Sequence, residues 1–240
     1  SALSALFDDA PTLLGSKVSE NRRDLWLYWQ EEQPTYRDLT SFVHLLDDRN
    51  QRVGQSDRSP GDGTYLTPWW STGERVAQRY TPEITDICAG GEPVRIVTGW
   101  YEYAADNQRR PRLDAPGDIA LAGVYTLPFT SVPANQVSAP ASVSVPITGA
   151  LTLTGYGLNG LAATNAEAGA PLTLDLYFSG DERSAPADLT IDLAPTGAAD
   201  ARSETLWTGT LAPDADWRPG ETLCRRLHLR IPSAETLQPG

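Results

Sequence analysis

The chain has 240 residues, a formal net charge of −12 and a pI near 4.5. That length suits one large domain or two small ones, and the acidity argues against a nucleic-acid or anionic-membrane binder, since either needs a basic face. Two Cys and two His exclude a disulfide scaffold, a Cys-rich zinc module and a poly-His metal site, and no apolar run approaches the roughly 18 residues of a membrane span.

The start at Ser1-Ala2-Leu3, in a chain without Met, reads as an excised fragment, and no signal peptide is visible. Leu25-Trp26-Leu27-Tyr28-Trp29 is aromatic and aliphatic without a helical period. Leu39 to Leu46, the turn Asp47-Asp48-Arg49-Asn50 and the return Gln51 to Gln55 predict a hairpin over 39–55. Asp57 to Thr67 holds Pro60, Gly61 and Gly63 and reads as loop; Val94 to Tyr103 and Ile119 to Leu127 read as strands. Residues 128–146, with four scattered prolines and no charge, read as a linker or a long extended crossover. Beyond them Leu172, Leu174, Leu176 and Phe178 alternate with polar residues, as do Leu189, Ile191 and Leu193. In the last strand Leu223, Leu227, Leu229 and Ile231 point one way, and Cys224, Arg226, His228 and Arg230 the other. These are half-buried antiparallel strands, and the predicted fold class is all-β.

The two halves look like copies of one unit. Leu27-Tyr28-Trp29 matches Leu176-Tyr177-Phe178, Asp38-Leu39-Thr40 matches Asp188-Leu189-Thr190, and Trp70-Ser71-Thr72-Gly73-Glu74 matches Trp217-Arg218-Pro219-Gly220-Glu221. The three matches keep their order and nearly their spacing. The expected organisation is two tandem antiparallel β-sandwich, immunoglobulin-like units over 1–127 and 147–240, joined by 128–146. In copy one Gly90-Gly91-Glu92-Pro93 leads into the strand Val94–Tyr103; copy two reaches Pro239-Gly240 without a counterpart. The second unit is therefore expected to lack a closing strand and to expose a sheet edge. Its completion could come from 128–146 or from a second molecule; a monomer in dilute solution with an edge-mediated dimer at high concentration is expected.

Leu27-Tyr28-Trp29-Gln30, then Phe42-Val43-His44-Leu45-Leu46-Asp47, then Trp70-x-x-Gly73-Glu74 together resemble the extracytoplasmic C-terminal region of multi-pass membrane glycosyltransferases. These are the mannosyltransferase-like proteins (family 39 and its relatives) of filamentous phototrophic bacteria. The resemblance covers about 10–105 and 148–240. It implies β-sandwich units in tandem in the cell envelope, beside a membrane part. That family's catalytic carboxylates lie in an outer loop of the membrane domain. Nothing in this chain corresponds to that loop, so no catalytic residue is carried over.

The residues themselves offer few reaction centres. No Gly-x-Ser-x-Gly elbow occurs, and His44 and His228 lie within strands. Asp47 and Asp48 are turn residues, and Glu74 and Glu221 follow glycine at strand starts, so no carboxylate pair stands out for glycoside hydrolysis. The loop Asp57 to Gly63 supplies two Asp but lacks the spacing of a calcium loop. No cofactor, no metal and no activity of the chain's own are expected. Cys88 and Cys224 occupy non-equivalent places in the two copies; a bridge is neither supported nor excluded, and free thiols are expected. The aromatics carry the functional expectation. Leu25, Leu27 and Trp29 share one face of their strand, so Trp26 and Tyr28 share the other, where flat rings suit stacking on sugars. Of Trp69 and Trp70, one is expected to plug a sandwich end and leave the other in water. Trp26, Tyr28 and Trp69 are thus candidate glycan contacts in a non-catalytic accessory module; the alternative is a purely structural or protein-interaction module. Expected partners are glycan and the membrane part of the parent protein.

Overall fold

The computed structural model describes residues 4–148, 151–162, 168–180, 188–193, 204–211 and 217–232. All regular structure among them is β, apart from single 3-10 turns of three or four residues. The chain forms two compact units: residues 1–86 with 92–128, and residues 87–91 with 129–240.

Unit 1 carries β1 (Ala5–Phe7), β2 (Ala10–Val18), β3 (Leu25–Gln30), β4 (Leu39–Leu46), β5 (Arg52–Arg58), β6 (Arg75–Tyr80), β7 (Glu83–Ile84), β8 (Pro93–Glu102), β9 (Gln108–Arg109) and β10 (Ala120–Thr126). Its first sheet has the order β1-β2-β3-β6 and its second β10-β8-β4-β5-β7, with β9 beside β8, and every pairing is antiparallel. The runs β2-β3-β6 and β10-β8-β4-β5 follow the A-B-E and G-F-C-C′ orders of an immunoglobulin-type sandwich, while β1 and β7 depart from it. The period of two decides which side chains enter the core. Leu25, Leu27 and Trp29 of β3 are buried, and so are Leu39, Val43 and Leu45 of β4 and Val94, Ile96 and Trp100 of β8. The sheets meet where the Trp29 and Trp100 rings lie 4.6 Å apart, and the edge of Trp70 closes on Trp100 at 6.1 Å. A buried polar cluster also ties them: the Ser41 hydroxyl lies 2.5 Å from the Tyr80 hydroxyl and 3.2 Å from Gln78 Oε1. The 39–55 hairpin forms as β4–β5, and the Asp47 carboxylate accepts the Arg49 and Gln51 N–H groups to shape its turn.

Unit 2 carries β11 (Ser131–Pro133), β12 (Ala141–Thr148), β13 (Leu151–Leu158), β14 (Pro171–Gly180), β15 (Asp188–Leu193), β16 (Glu204–Thr210) and β17 (Glu221–Arg230). One sheet has the order β11-β17-β14-β13-β12, and β15 pairs with β16. Leu189, Ile191, Leu206 and Trp207 of the hairpin pack on a core that includes Leu151, Leu176, Phe178, Trp217 and Leu223. The stretch 128–146 is not only a linker: it supplies β11, which pairs with β17, and most of β12, which pairs with β13. Val132 and Val145 pair there with Thr222 and Leu153, and Pro133 and Pro146 lie in edge strands, where a missing N–H costs no internal ladder bond; Pro128 and Pro140 lie outside the strands.

The repeat is carried in the strand pairing. β13-β14-β17 reproduces β2-β3-β6, and the β15–β16 hairpin reproduces β4–β5. Both copies share a bulge at one place: the register slips between Leu13 and Gly15 opposite Trp29 and Tyr28, and between Leu153 and Gly155 opposite Phe178 and Tyr177. Both share a tight turn, with Gly73 at φ 80° and Gly220 at φ 79°, closed by the Glu74 N–H on the Ser71 carbonyl and the Glu221 N–H on the Arg218 carbonyl. Trp70 and Trp217 are 3% and 5% exposed, and each indole N–H donates to a nearby backbone carbonyl, of Tyr65 and of Glu221. Trp69, one position earlier, is 58% exposed.

The expectation of free thiols is overturned: Cys88 and Cys224 form a disulfide across 136 positions of sequence. Sequence placed Cys88 in copy one, but Ile87–Gly91 belongs to unit 2, and the short turn Ile87–Ala89 lies against β17. Cys224 is therefore fully buried although its row faces away from the core; Tyr177, Ile87, Val137 and Ala139 pack around the bridge.

Trp70→Ala is expected to cost about 3–5 kcal/mol, the usual loss for a large buried aromatic. Denaturant unfolding reads this, and a loss below about 1 kcal/mol, typical of surface changes, would place the indole outside the core. Replacing both Cys88 and Cys224 by Ala is expected to lower the stability of unit 2 by about 2–5 kcal/mol, because the bridge closes a long loop. Identical melting of oxidised and reduced protein would show that the bridge contributes nothing to it.

Candidate functional site

The outer face of the first sheet of unit 1 is built from three strands. β3 sends Trp26, Tyr28 and Gln30 outward, with Tyr28 37% exposed and Trp26 half-buried. Register sets their neighbours. Trp26 lies between Lys17 on β2 and Arg79 on β6, Tyr28 between Gly15 and Ala77, and Gln30 between Thr12 and Arg75. The two small residues beside Tyr28 leave its ring standing over a shallow depression of about 340 Å³, lined by Leu14, Tyr28, Arg75, Val76 and Ala77. Leu14 is the extra residue of the bulge, so the slip that seats Leu13 in the core also delivers a second apolar wall to the outside. Trp69 does not line this depression, and among the described residues no ring contact joins it to Trp26 or Tyr28. Trp26 and Tyr28 thus share the outward face of β3, only Tyr28 borders the depression, and Trp69 lies off that strand.

The surrounding charges are arranged by short contacts. The Arg79 guanidinium pairs with Asp24 at 2.8 Å. The Thr81 hydroxyl and Arg79 hold the Asp24 carboxyl below its ordinary range. Arg75 Nε donates to Gln30 Oε1 at 3.0 Å, and Gln30 Nε2 donates to Glu32 at 2.9 Å.

A second hollow, of about 380 Å³, lies on the outer face of the other sheet of the same unit, lined by Asp38, Thr40, Asp57, Ser59, Tyr101, Tyr103 and Ala104. The Tyr101 hydroxyl donates to Asp57 at 3.2 Å, and burial with that carboxylate pushes the phenol pKa up. Nearby the Arg109 guanidinium covers the Phe42 ring at 4.5 Å, and His44 lies 4.8 Å from the same ring. Burial, then Arg52, lowers the His44 pKa, which keeps the imidazole neutral near pH 7. The two Asp of the 57–63 loop do not converge on a shared ligand position: Asp57 meets Tyr101, and Asp62 pairs with Arg58 at 2.9 Å. Cys88, Asp175 and Cys224 lie within 4.8 Å of one another, but the sulfurs are bonded together and Asp175 receives a two-pronged bond from Arg226.

Copy two treats the equivalent face differently. There Tyr177 stands between Gly155 and Cys224, as Tyr28 stands between Gly15 and Ala77. Tyr177 is only 9% exposed, because the bridged segment with Ile87, Val137 and Ala139 roofs it. A Cβ on Gly155 would come within 2.3 Å of Ala139, so the roof also depends on that glycine.

Sequence reasoning found the outward pair on β3 but not Leu14, Lys17, Arg75, Ala77 or Arg79. These come from cross-strand register, which a bulge of one residue shifts. Alternation along Val94–Tyr103 would put Tyr101 and Tyr103 on one face and is the signal that could have pointed to the second hollow, although β8 ends at Glu102. Comparison with protein-family models, curated proteins and solved structures finds no match to the chain.

At the end of β3 the Glu31 backbone bonds to Glu74 and Gly73, which anchors the strand to the Trp70–Glu74 turn. Its side chain is 1% exposed, Oε2 has no hydrogen-bond partner among the described residues, and burial raises the carboxyl pKa to about 7. The folded state therefore binds a proton between the ordinary 4.5 and about 7 that the unfolded state has released. Glu31 subtracts most stability above pH 7, and the penalty fades as pH falls through that window. Glu31→Gln is expected to stabilise the protein by about 1–3 kcal/mol at pH 8 and to change little at pH 4. Melting temperature against pH reads this, and an unaltered pH slope would show that Glu31 titrates at its ordinary value.

Proposed function

We propose that the chain is a non-catalytic saccharide-binding module of the cell envelope, in which unit 1 contacts the ligand and unit 2 acts as a structural mount. The observation that carries this is the Trp26–Tyr28 pair on the outward face of one strand: Tyr28 borders an open depression, and Lys17, Arg75 and Arg79 stand on the neighbouring strands. Two rings on alternate residues lie about 7 Å apart along a strand, a spacing that lets successive sugar rings stack on them. Burial of β3's other face in the core fixes the backbone that carries both rings, so no backbone ordering is needed on binding.

The buried disulfide supports a place in an oxidising compartment. Together with the resemblance to the extracytoplasmic region of membrane glycosyltransferases, it supports a role beside such an enzyme. There the module would hold glycan near a catalytic part that this chain does not contain. No described helix is long and apolar enough to cross a membrane.

A second reading rests on the roof over Tyr177. One copy of this face already accepts polypeptide, so the open copy on unit 1 would accept a segment of a partner protein instead.

A saccharide array probed with wild-type protein and with Trp26→Ala and Tyr28→Ala decides between them. Binding of a saccharide class by the wild type, weakened at least tenfold in both variants at unchanged melting temperature, is the expected result. Loss of a protein partner, with no saccharide bound by any form, would favour the second reading.

A further inference from the structure

We infer that the saccharide recognised by this face is anionic, carrying carboxylate or sulfate groups. The inference rests on the binding reading above and extends it to a ligand class. In a chain with 31 acidic and 19 basic residues, the outward positions of β2, β3 and β6 carry Lys17, Arg75 and Arg79 and no carboxylate. Carboxylates enter only at the rim, where Asp24 pairs with Arg79 and Glu32 accepts from Gln30. Among the described residues neither Lys17 nor Arg75 is in an ion pair, although Arg75 bonds to the neutral Gln30 amide. Lys17 is the only lysine in the chain.

The arrangement is also directional. Lys17 flanks Trp26 on one side of β3, and Arg75 flanks Gln30 on the other, with Tyr28 between. From strand spacing and rise, their Cα atoms stand roughly 17 Å apart. An oligosaccharide laid along Trp26 and Tyr28 would therefore meet a cation near each end. Arg75 also lines the depression beside Tyr28, where a guanidinium can grip a carboxylate with two parallel hydrogen bonds. The hollow on the opposite sheet is lined by Asp38 and Asp57 and would repel the same ligand. The two hollows of this sandwich thus differ in the charge of their linings, Arg75 in one and Asp38 with Asp57 in the other, and the one beside Tyr28 suits an anion.

The test is an array of neutral, uronate-containing and sulfated oligosaccharides, followed by titration with tetragalacturonate and its methyl ester, which keep the same rings and differ in charge. The proteins are wild type, Trp26→Ala and the Lys17→Gln, Arg75→Gln double variant, each checked for an unchanged melting temperature. The expected result is binding confined to acidic saccharides and at least tenfold weaker for any methyl ester. Binding should weaken as salt rises and fall at least tenfold in both variants. Neutral saccharides bound as tightly, with dependence on Trp26, would overturn the anionic class and leave the binding reading standing. Polyanion binding indifferent to Trp26→Ala would reduce the face to a bare charge patch and overturn the inference. No saccharide bound at all would overturn both.

Discussion

The register of β2 against β3 is the constraint on which the rest of unit 1 depends. A strand has two faces, and a slip of one residue exchanges them. β3 commits Trp29 to the interior, where it meets Trp100 from the other sheet. That commitment alone turns Trp26 and Tyr28 outward. β2 must then satisfy both sides of β3, and the bulge at Leu14 lets it do so: Leu13 opposes Trp29 inside, while Gly15 opposes Tyr28 outside. The sandwich core and the presented surface are two readings of one pairing.

Unit 2 uses the same pairing to a different end. Its bulge, its turn glycine and its end-capping tryptophan recur in place. What differs is the residue opposite the outward tyrosine. Ala77 in the first copy leaves the surface smooth; Cys224 in the second fixes a passing segment onto it. The contrast separates what the architecture requires from what each copy adds. The paired core face recurs in both copies, and the outer face is closed in the second by Cys224 together with Ile87, Val137 and Ala139.

Much of this was legible locally. The hairpin over 39–55 followed from its turn residues, and the strands around 172–178 and 189–193 from a period of two. Trp26 and Tyr28 could be placed on one face because that inference needs only a single strand. Two things escaped because they depend on distant sequence. Pairing of Cys88 with Cys224 requires Ile87–Gly91 to leave the unit that surrounds it in sequence. The cations around Trp26 require cross-strand register, which a bulge alters without a composition signal. The stretch 128–146 was legible as a linker or an extended crossover able to pair, but not its two strands, because its prolines read as breaks while Pro133 and Pro146 fit edge positions. Glu31 escaped for another reason: adjacent acids at a strand end look like solvated rim, yet one of them is buried.

The excursion of Ile87–Gly91 separates two boundaries that usually coincide. Counted along the chain, the molecule divides once, after Pro128. Counted by packing, five residues from the earlier stretch belong to the later unit. A truncation that begins at Phe129 is therefore not unit 2. It lacks Cys88 and the Ile87 part of the cover over Tyr177, and leaves Cys224 as a bare thiol. A backbone cut between Pro128 and Phe129 would, in turn, yield two polypeptides that remain one covalent molecule until the sulfurs are reduced.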